Sequence, residues 1–166
     1  MEHVLSGAVT LVPKRSAGLL MYRGAGARLE LLLVHPGGPF WAGKDLGAWS
    51  IPKGEYAGDE DPLAVAQREF AEETGTRPRG DFRPLGEVVQ AGGKRVSAWA
   101  VEGDFDPAAL VSNTFETEWP PRSGRKRSFP EVDRAAWFSP EEARQKLLAG
   151  QRPFVDRLVT SLARGE

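Results

Sequence analysis

Between Gly54 and Thr76 the chain reads GEYAGDEDPLAVAQREFAEETGT, and its last third concentrates charge: Arg68, Glu69, Glu72 and Glu73, then Gly75. Carboxylates at positions i, i+3 and i+4 share one side of a helix. Like charges placed so repel by about 0.2–0.5 kcal/mol per pair on an exposed helix. They also crowd a helix C-terminus, where the macrodipole is already negative. A cation among them removes both penalties, and clustered carboxylate oxygens suit a hard divalent ion such as Mg²⁺, with Mn²⁺ as a substitute. An ion held there can neutralise phosphate oxygens and lower the pKa of a bound water.

The neighbouring residues predict the elements that must position these acids. Asp61 can cap a helix, and Pro62 fits its first position, where a missing N–H does no harm. Leu63, Ala66 and Phe70 recur at helical spacing and make an apolar stripe. Gly75 supplies the stop. Upstream, Trp49-Ser50-Ile51-Pro52-Lys53-Gly54 reads as a short strand entering a glycine turn, and Gly54 to Glu60 as a loop.

The stretch has a regular grammar: Gly54, five spacers, Glu60, seven spacers, then Arg68-Glu69-Phe70-x-Glu72-Glu73-x-Gly75-Thr76. This resembles the Nudix box of the Nudix hydrolases. Seven of nine fixed positions match outright, Phe70 is an apolar substitute, and Thr76 departs from the family's aliphatic residue. The resemblance covers 23 of 166 residues. It implies an α/β fold, an α/β/α sandwich with a mixed β-sheet between helices. It implies Mg²⁺-dependent hydrolysis of a nucleoside diphosphate linked to another moiety. Glu69, Glu72 and Glu73 become the metal-binding set, one of them able to orient or deprotonate water. The Lys53 backbone carbonyl would complete the metal shell, Glu60 would be an outer contact, and Arg68 would orient the glutamates. Gly54 is the box glycine of the loop.

Other candidates lie outside the box. Family members often supply one more acid from a distant loop. Here Glu131, in FPEVDRAAWF, is favoured over Glu118 and Glu116. Arg122, Arg125, Lys126 and Arg127 form the densest basic run and could clamp outer phosphates, or simply be solvated. Phe40 and Trp41, in a glycine-bounded loop, could stack on a base, although an anchoring role is the commoner one. Lys53 otherwise reads as a surface lysine, Trp49 as packing, and His35 receives no role.

Composition bounds the rest. At 166 residues and 40% hydrophobic content the chain fits one globular domain, expected over 1–166. A net charge of −1 steers neither nucleic acid nor membrane. With no cysteine, disulfides and thiolate zinc sites are excluded, and two histidines cannot build a histidine-rich cluster. The start, MEHVLSGAV, shows no export leader, and no apolar run approaches a membrane span. A cytoplasmic location is expected.

Strands are predicted over Ala17–Arg23, Leu29–His35, Leu85–Gln90, Lys94–Val101, Thr114–Trp119 and Val132–Phe138, with a basic loop over Pro120–Pro130. Helices are predicted from the Ser139 cap to about Leu148 and over Phe154–Ala163.

The opening WSIPKG is similar to that of Nudix enzymes acting on dinucleoside polyphosphates or diphosphoinositol phosphates. The expected substrate is therefore a nucleotide polyphosphate, a dinucleoside polyphosphate first, or a nucleoside triphosphate. Two other classes stay open. One is a non-catalytic nucleotide-metabolite sensor. The other is an RNA 5′-end pyrophosphohydrolase using the Arg122–Arg127 run, a partner class the neutral charge disfavours. Oligomeric state is not legible.

Overall fold

The computed structural model describes residues 14–165. The stretch MEHVLSGAV, with His3, lies outside the described residues. A mixed sheet runs through the protein, built from β1 (Arg15–Arg23), β2 (Glu30–Pro36), β3 (Lys53–Glu55), β4 (Arg83–Val89), β5 (Arg95–Glu102) and β8 (Val132–Phe138). The order is β4-β5-β1-β2-β8, and β3 pairs with β1. β1 runs parallel to β5 and antiparallel to β2 and β3.

The continuous apolar runs of β1 and β2 follow from burial on both faces. Ala17, Leu19, Met21, Leu32 and Val34 face one layer; Leu20, Tyr22, Leu31 and Leu33 face the other. The first layer is α1 (Pro62–Thr74), through Val65, Ala66 and Phe70. The second is α2 (Pro140–Lys146) and α3 (Pro153–Ala163), through Ala143, Phe154, Val155 and Leu158. This is the α/β/α sandwich expected, and among the described residues no helix is long and apolar enough to cross a membrane.

Helix α1 begins and ends where its sequence says. The Asp61 carboxylate accepts the Ala64 N–H at 3.3 Å, and Gly75 takes the left-handed conformation (φ 84°) as its N–H reaches Ala71. Phe70 is wholly buried, a contribution of about 1.5–3 kcal/mol. That outweighs the about 0.2–0.5 kcal/mol per like-charged pair, so the helix can carry an acidic face.

Three expectations need correction. Trp49 and Ser50 make only isolated bridges, to Leu147 and Val34, and the strand proper is Lys53–Glu55. Pro52 has no N–H to give a ladder. The basic stretch before Pro130 is not all loop: Lys126–Pro130 is β7, paired with β6 (Thr114–Glu118) as a separate two-stranded hairpin. Phe115 and Phe129 face each other there, a cross-strand pair that holds the register. Helix α2 ends at Lys146 rather than near Leu148, its start fixed by the Ser139–Glu142 capping box.

Candidate active site

The acidic end of α1 lies over β3, and one glycine permits the contact. A Cβ at Gly54 would overlap Oε1 and Cδ of Glu69. No other residue lets the carboxylate lie on the strand. Glu73 is buried and accepts a hydrogen bond from the Lys53 backbone. Glu69 is half-buried and Glu72 faces outward.

Arg68 sits among the acids. Its guanidinium lies 3.2 Å from Glu60, 3.6 Å from Glu69 and 3.9 Å from Glu72. Glu60 in turn accepts the Ala57 N–H at 2.9 Å. That bond first, then Arg68, holds the Glu60 carboxyl below its ordinary value. Glu60 and Arg68 thus tie the loop between β3 and α1 to the helix.

Glu131 reaches the same place by a route of backbone hydrogen bonds. The C-terminal carbonyls of α1 need partners, and the segment before β6 provides them. Val111 N–H donates to the Thr74 carbonyl and Asn113 N–H to that of Glu72. The Asn113 carbonyl accepts the Glu131 N–H at 2.8 Å, and the Glu131 carbonyl accepts that of Gly37 at 2.9 Å. Glu131 is thereby fastened between the helix end and the glycine-rich loop. Glu116 and Glu118 stay exposed on the hairpin, Glu118 accepting the Gly124 N–H.

These carboxyls feel burial and one another. Burial pushes Glu73 well above its ordinary 4.5, with Lys53 pulling it back and Glu69 and Glu131 adding to the rise. Burial also raises Glu69 and Glu131, each further raised by Glu72. Desolvation, then repulsion from Lys94, lowers Lys53. Among the described residues no three acidic or imidazole groups close into a finished metal cage. Mg²⁺ does not demand one: it takes one or two carboxylates, keeps waters and shares substrate phosphates. The donors are all hard oxygens, and burial makes their charge costly without a cation, so the residues fit such an ion.

Two of the acids, Glu73 and Glu131, line a cavity of about 560 Å³. Lys53, Lys94 and Gln90 line it too, with Lys53 close enough to Glu73 to feel its charge. Phe40, Trp41 and Phe115 give it aromatic walls. Clefts of about 540 and 610 Å³ open elsewhere, so volume does not single this one out. In the first of those, Asp45 is paired with Lys146 at 2.6 Å and Asp133 meets His35 Nδ1 at 2.8 Å, so each carboxylate has a local partner.

The loop carrying Phe40 and Trp41 is held by a residue to which the sequence assigned no role. His35 is fully buried, with Nδ1 2.8 Å from Asp133 and Nε2 2.7 Å from the Lys44 carbonyl. Phe40 also meets Trp119 edge to face at 6.0 Å. By contrast, Arg122, Arg125, Lys126 and Arg127 all lie exposed on the hairpin and do not line the cavity. Lys53 is not a plain surface lysine, since its partly buried side chain lines the cavity. Lys94 and Gln90 were missed. Only their place beside the Ala91-Gly92-Gly93 turn, whose strands pair back toward β1, could have pointed to them.

The model of the NUDIX domain matches residues 12–158. The chain belongs to the Nudix hydrolase family. Solved structures share this fold at low identity. A C. elegans Ap4A hydrolase in a binary complex superposes with a TM-score of 0.64 at 20% identity, over 90% of this chain and 98% of that one. The NUDIX domain of Shewanella oneidensis NrtR, complexed with ADP ribose, gives 0.60 at 16%, over 99% of each chain. A MutT protein from Methanosarcina mazei Go1 gives 0.56 at 22%, over 92% and 97%. A sequence comparison with curated proteins finds no significant match.

Proposed function

We propose that this Nudix chain, read as one domain, hydrolyses a phosphoanhydride bond in a nucleotide polyphosphate with the help of Mg²⁺. The observation that carries the reading is the convergence of Glu69, Glu73 and Glu131 from two distant segments, with Glu73 and Glu131 lining a cavity that Lys53, Lys94 and three aromatic rings also line. Glu69, Glu72, Glu73 and the Lys53 carbonyl are the residues that would hold the ion, and Glu60 acts through Arg68. The ion, when bound, neutralises phosphate oxygens and lowers the pKa of a coordinated water.

The chain's own residues do the rest. Arg68 holds Glu69 and Glu72 in place and lessens their repulsion. Glu131 comes to the helix acids from a separate segment and can accept the proton of the attacking water. Lys53 faces the charge that develops on the leaving phosphate. Phe40, Trp41 and Phe115 offer flat apolar surface to a base.

A dinucleoside polyphosphate leads among substrates. The W-x-x-P-K-G opening supports it, and the Ap4A hydrolase shares the fold. The exposed basic run stands away from the cavity, which weighs against an RNA 5′ end as the substrate. A screen of dinucleoside polyphosphates, nucleoside triphosphates and nucleoside diphosphate sugars, run with Mg²⁺ in isotopically labelled water, tests the reading. Labelled product from a polyphosphate supports hydrolysis. Ligand binding without product from any of them would make the chain a sensor.

A further inference from the structure

At one residue lining the cavity, Gln90, the polarity of an amide is dictated from inside the core. Gln151 is wholly buried. Its Oε1 accepts the Ile51 backbone N–H at 3.0 Å. A backbone N–H can only donate, so the Gln151 amide has one possible orientation. Its Nε2 therefore donates, to Ser50 Oγ at 3.0 Å and to Gln90 Oε1 at 2.8 Å. The Ser50 hydroxyl spends its own proton on the Ile51 carbonyl at 2.7 Å. Gln90 is thus fixed in turn: its oxygen is occupied, and its NH₂ group remains for the cavity it lines.

Lys53 and Lys94 line the same cavity. Lys94 meets Glu55 at 3.3 Å, outside the cavity lining. Lys53 makes no ion pair within 4.0 Å among the described residues; Lys94 repels it, while Glu73, Glu55 and Glu69 attract it from further off. Two cations and an amide nitrogen, all donors, face one space. Such a wall suits a group that only accepts and carries negative charge.

We infer that Gln90, oriented by Gln151, and Lys94 form with Lys53 a subsite for an outer phosphate of the substrate, beyond the two that flank the cleaved bond. The inference rests on the reading above and narrows it. The preferred substrates carry three or more phosphates in a row, and nucleoside diphosphate sugars, which offer a neutral sugar at that place, are poor ones. Gln90 is a specificity-determining contact and Gln151 a positioning residue.

The test is binding, so it does not depend on turnover. Inorganic tripolyphosphate and pyrophosphate are titrated with Mg²⁺ into the full chain by calorimetry, and the ratio of their affinities is the readout. Wild type should prefer tripolyphosphate by about tenfold or more, the worth of one or two charge-assisted hydrogen bonds. Lys94→Met and Gln90→Glu should abolish the preference, the latter by placing acceptors where donors stood. Gln90→Lys, which keeps a donor, should retain it. A merely structural Gln90 would lose the ratio equally in the Glu and Lys variants, and that result overturns the subsite, as does a wild type that binds both anions alike. Absence of hydrolysis with the ratio intact would instead overturn the catalytic reading and leave the subsite standing.

Discussion

Gly54 is the position where a single methyl group separates the fold from the chemistry. A Cβ there would overlap Oε1 and Cδ of Glu69 and stand 2.6 Å from its Cγ. Gly54 is not among the glycines with positive φ, so alanine meets no backbone penalty. The atoms in the way are the far end of a flexible side chain, which can swing clear of β3. Gly54→Ala should therefore cost about 1 kcal/mol, the low end of overpacking, and lower the melting temperature by about 2–4 °C. Catalysis should suffer far more. A metal-binding carboxylate moved off its support loses about 10–100-fold in metal affinity, and a misplaced reacting group costs about 100-fold in rate. The assay is Mg²⁺-dependent hydrolysis of a dinucleoside polyphosphate beside a thermal melt of the same sample. Glu69→Ala provides the control: with the obstacle gone, adding Gly54→Ala should lower the melting temperature no further. A Gly54→Ala protein with turnover and Mg²⁺ requirement within about threefold of wild type would refute the placement of Glu69 as a ligand held against the strand.

Glu72→Gln and Glu73→Gln should each reduce turnover by orders of magnitude while the melting transition survives; a near-native rate in either contradicts the metal assignment. The metal-free protein should lose stability as pH rises above 4.5. Glu73, Glu69 and Glu131 are raised in the folded state, so the native protein holds their protons where the unfolded chain has released them. Their contribution is complete below the unfolded value and fades as pH climbs through the folded ones. Melting in EDTA across this range, compared with Glu73→Gln, should show a shallower decline in the variant. Identical slopes would mean that Glu73 is not the strained acid. Arg68→Ala should weaken Mg²⁺ binding and activity together, since the guanidinium lies within 4 Å of three of the box acids; unchanged values of both would make it a surface residue only.

Local signals in the sequence were strong where chemistry was local. Asp61, Pro62, Gly75 and the stripe of Ala66 and Phe70 specify α1, and its acids arrive with it. The β1–β2 pair was legible because both strands are apolar on two faces and joined by glycines. Glu131 lay within reach of motif reasoning, but its path was not. It depends on Val111 and Asn113 satisfying the helix carbonyls, a use of backbone groups that no side-chain pattern records. The place of the basic run was not legible, because density of charge along a chain says nothing of where a hairpin points. The Gln151–Gln90 relay was invisible for a related reason: the partners stand 61 residues apart, and glutamine carries no motif. His35 likewise acquires its place only through Asp133 and Lys44, each brought to it by folding.

The central claim is that a divalent cation binds where Glu69, Glu72 and Glu73 end the first helix. Manganese titration followed by electron paramagnetic resonance reports free ion directly. Wild type should sequester Mn²⁺ with an affinity that Mg²⁺ competes away and that Glu73→Gln lowers by tenfold or more. Equal depletion of free Mn²⁺ by wild type and by Glu73→Gln would contradict it.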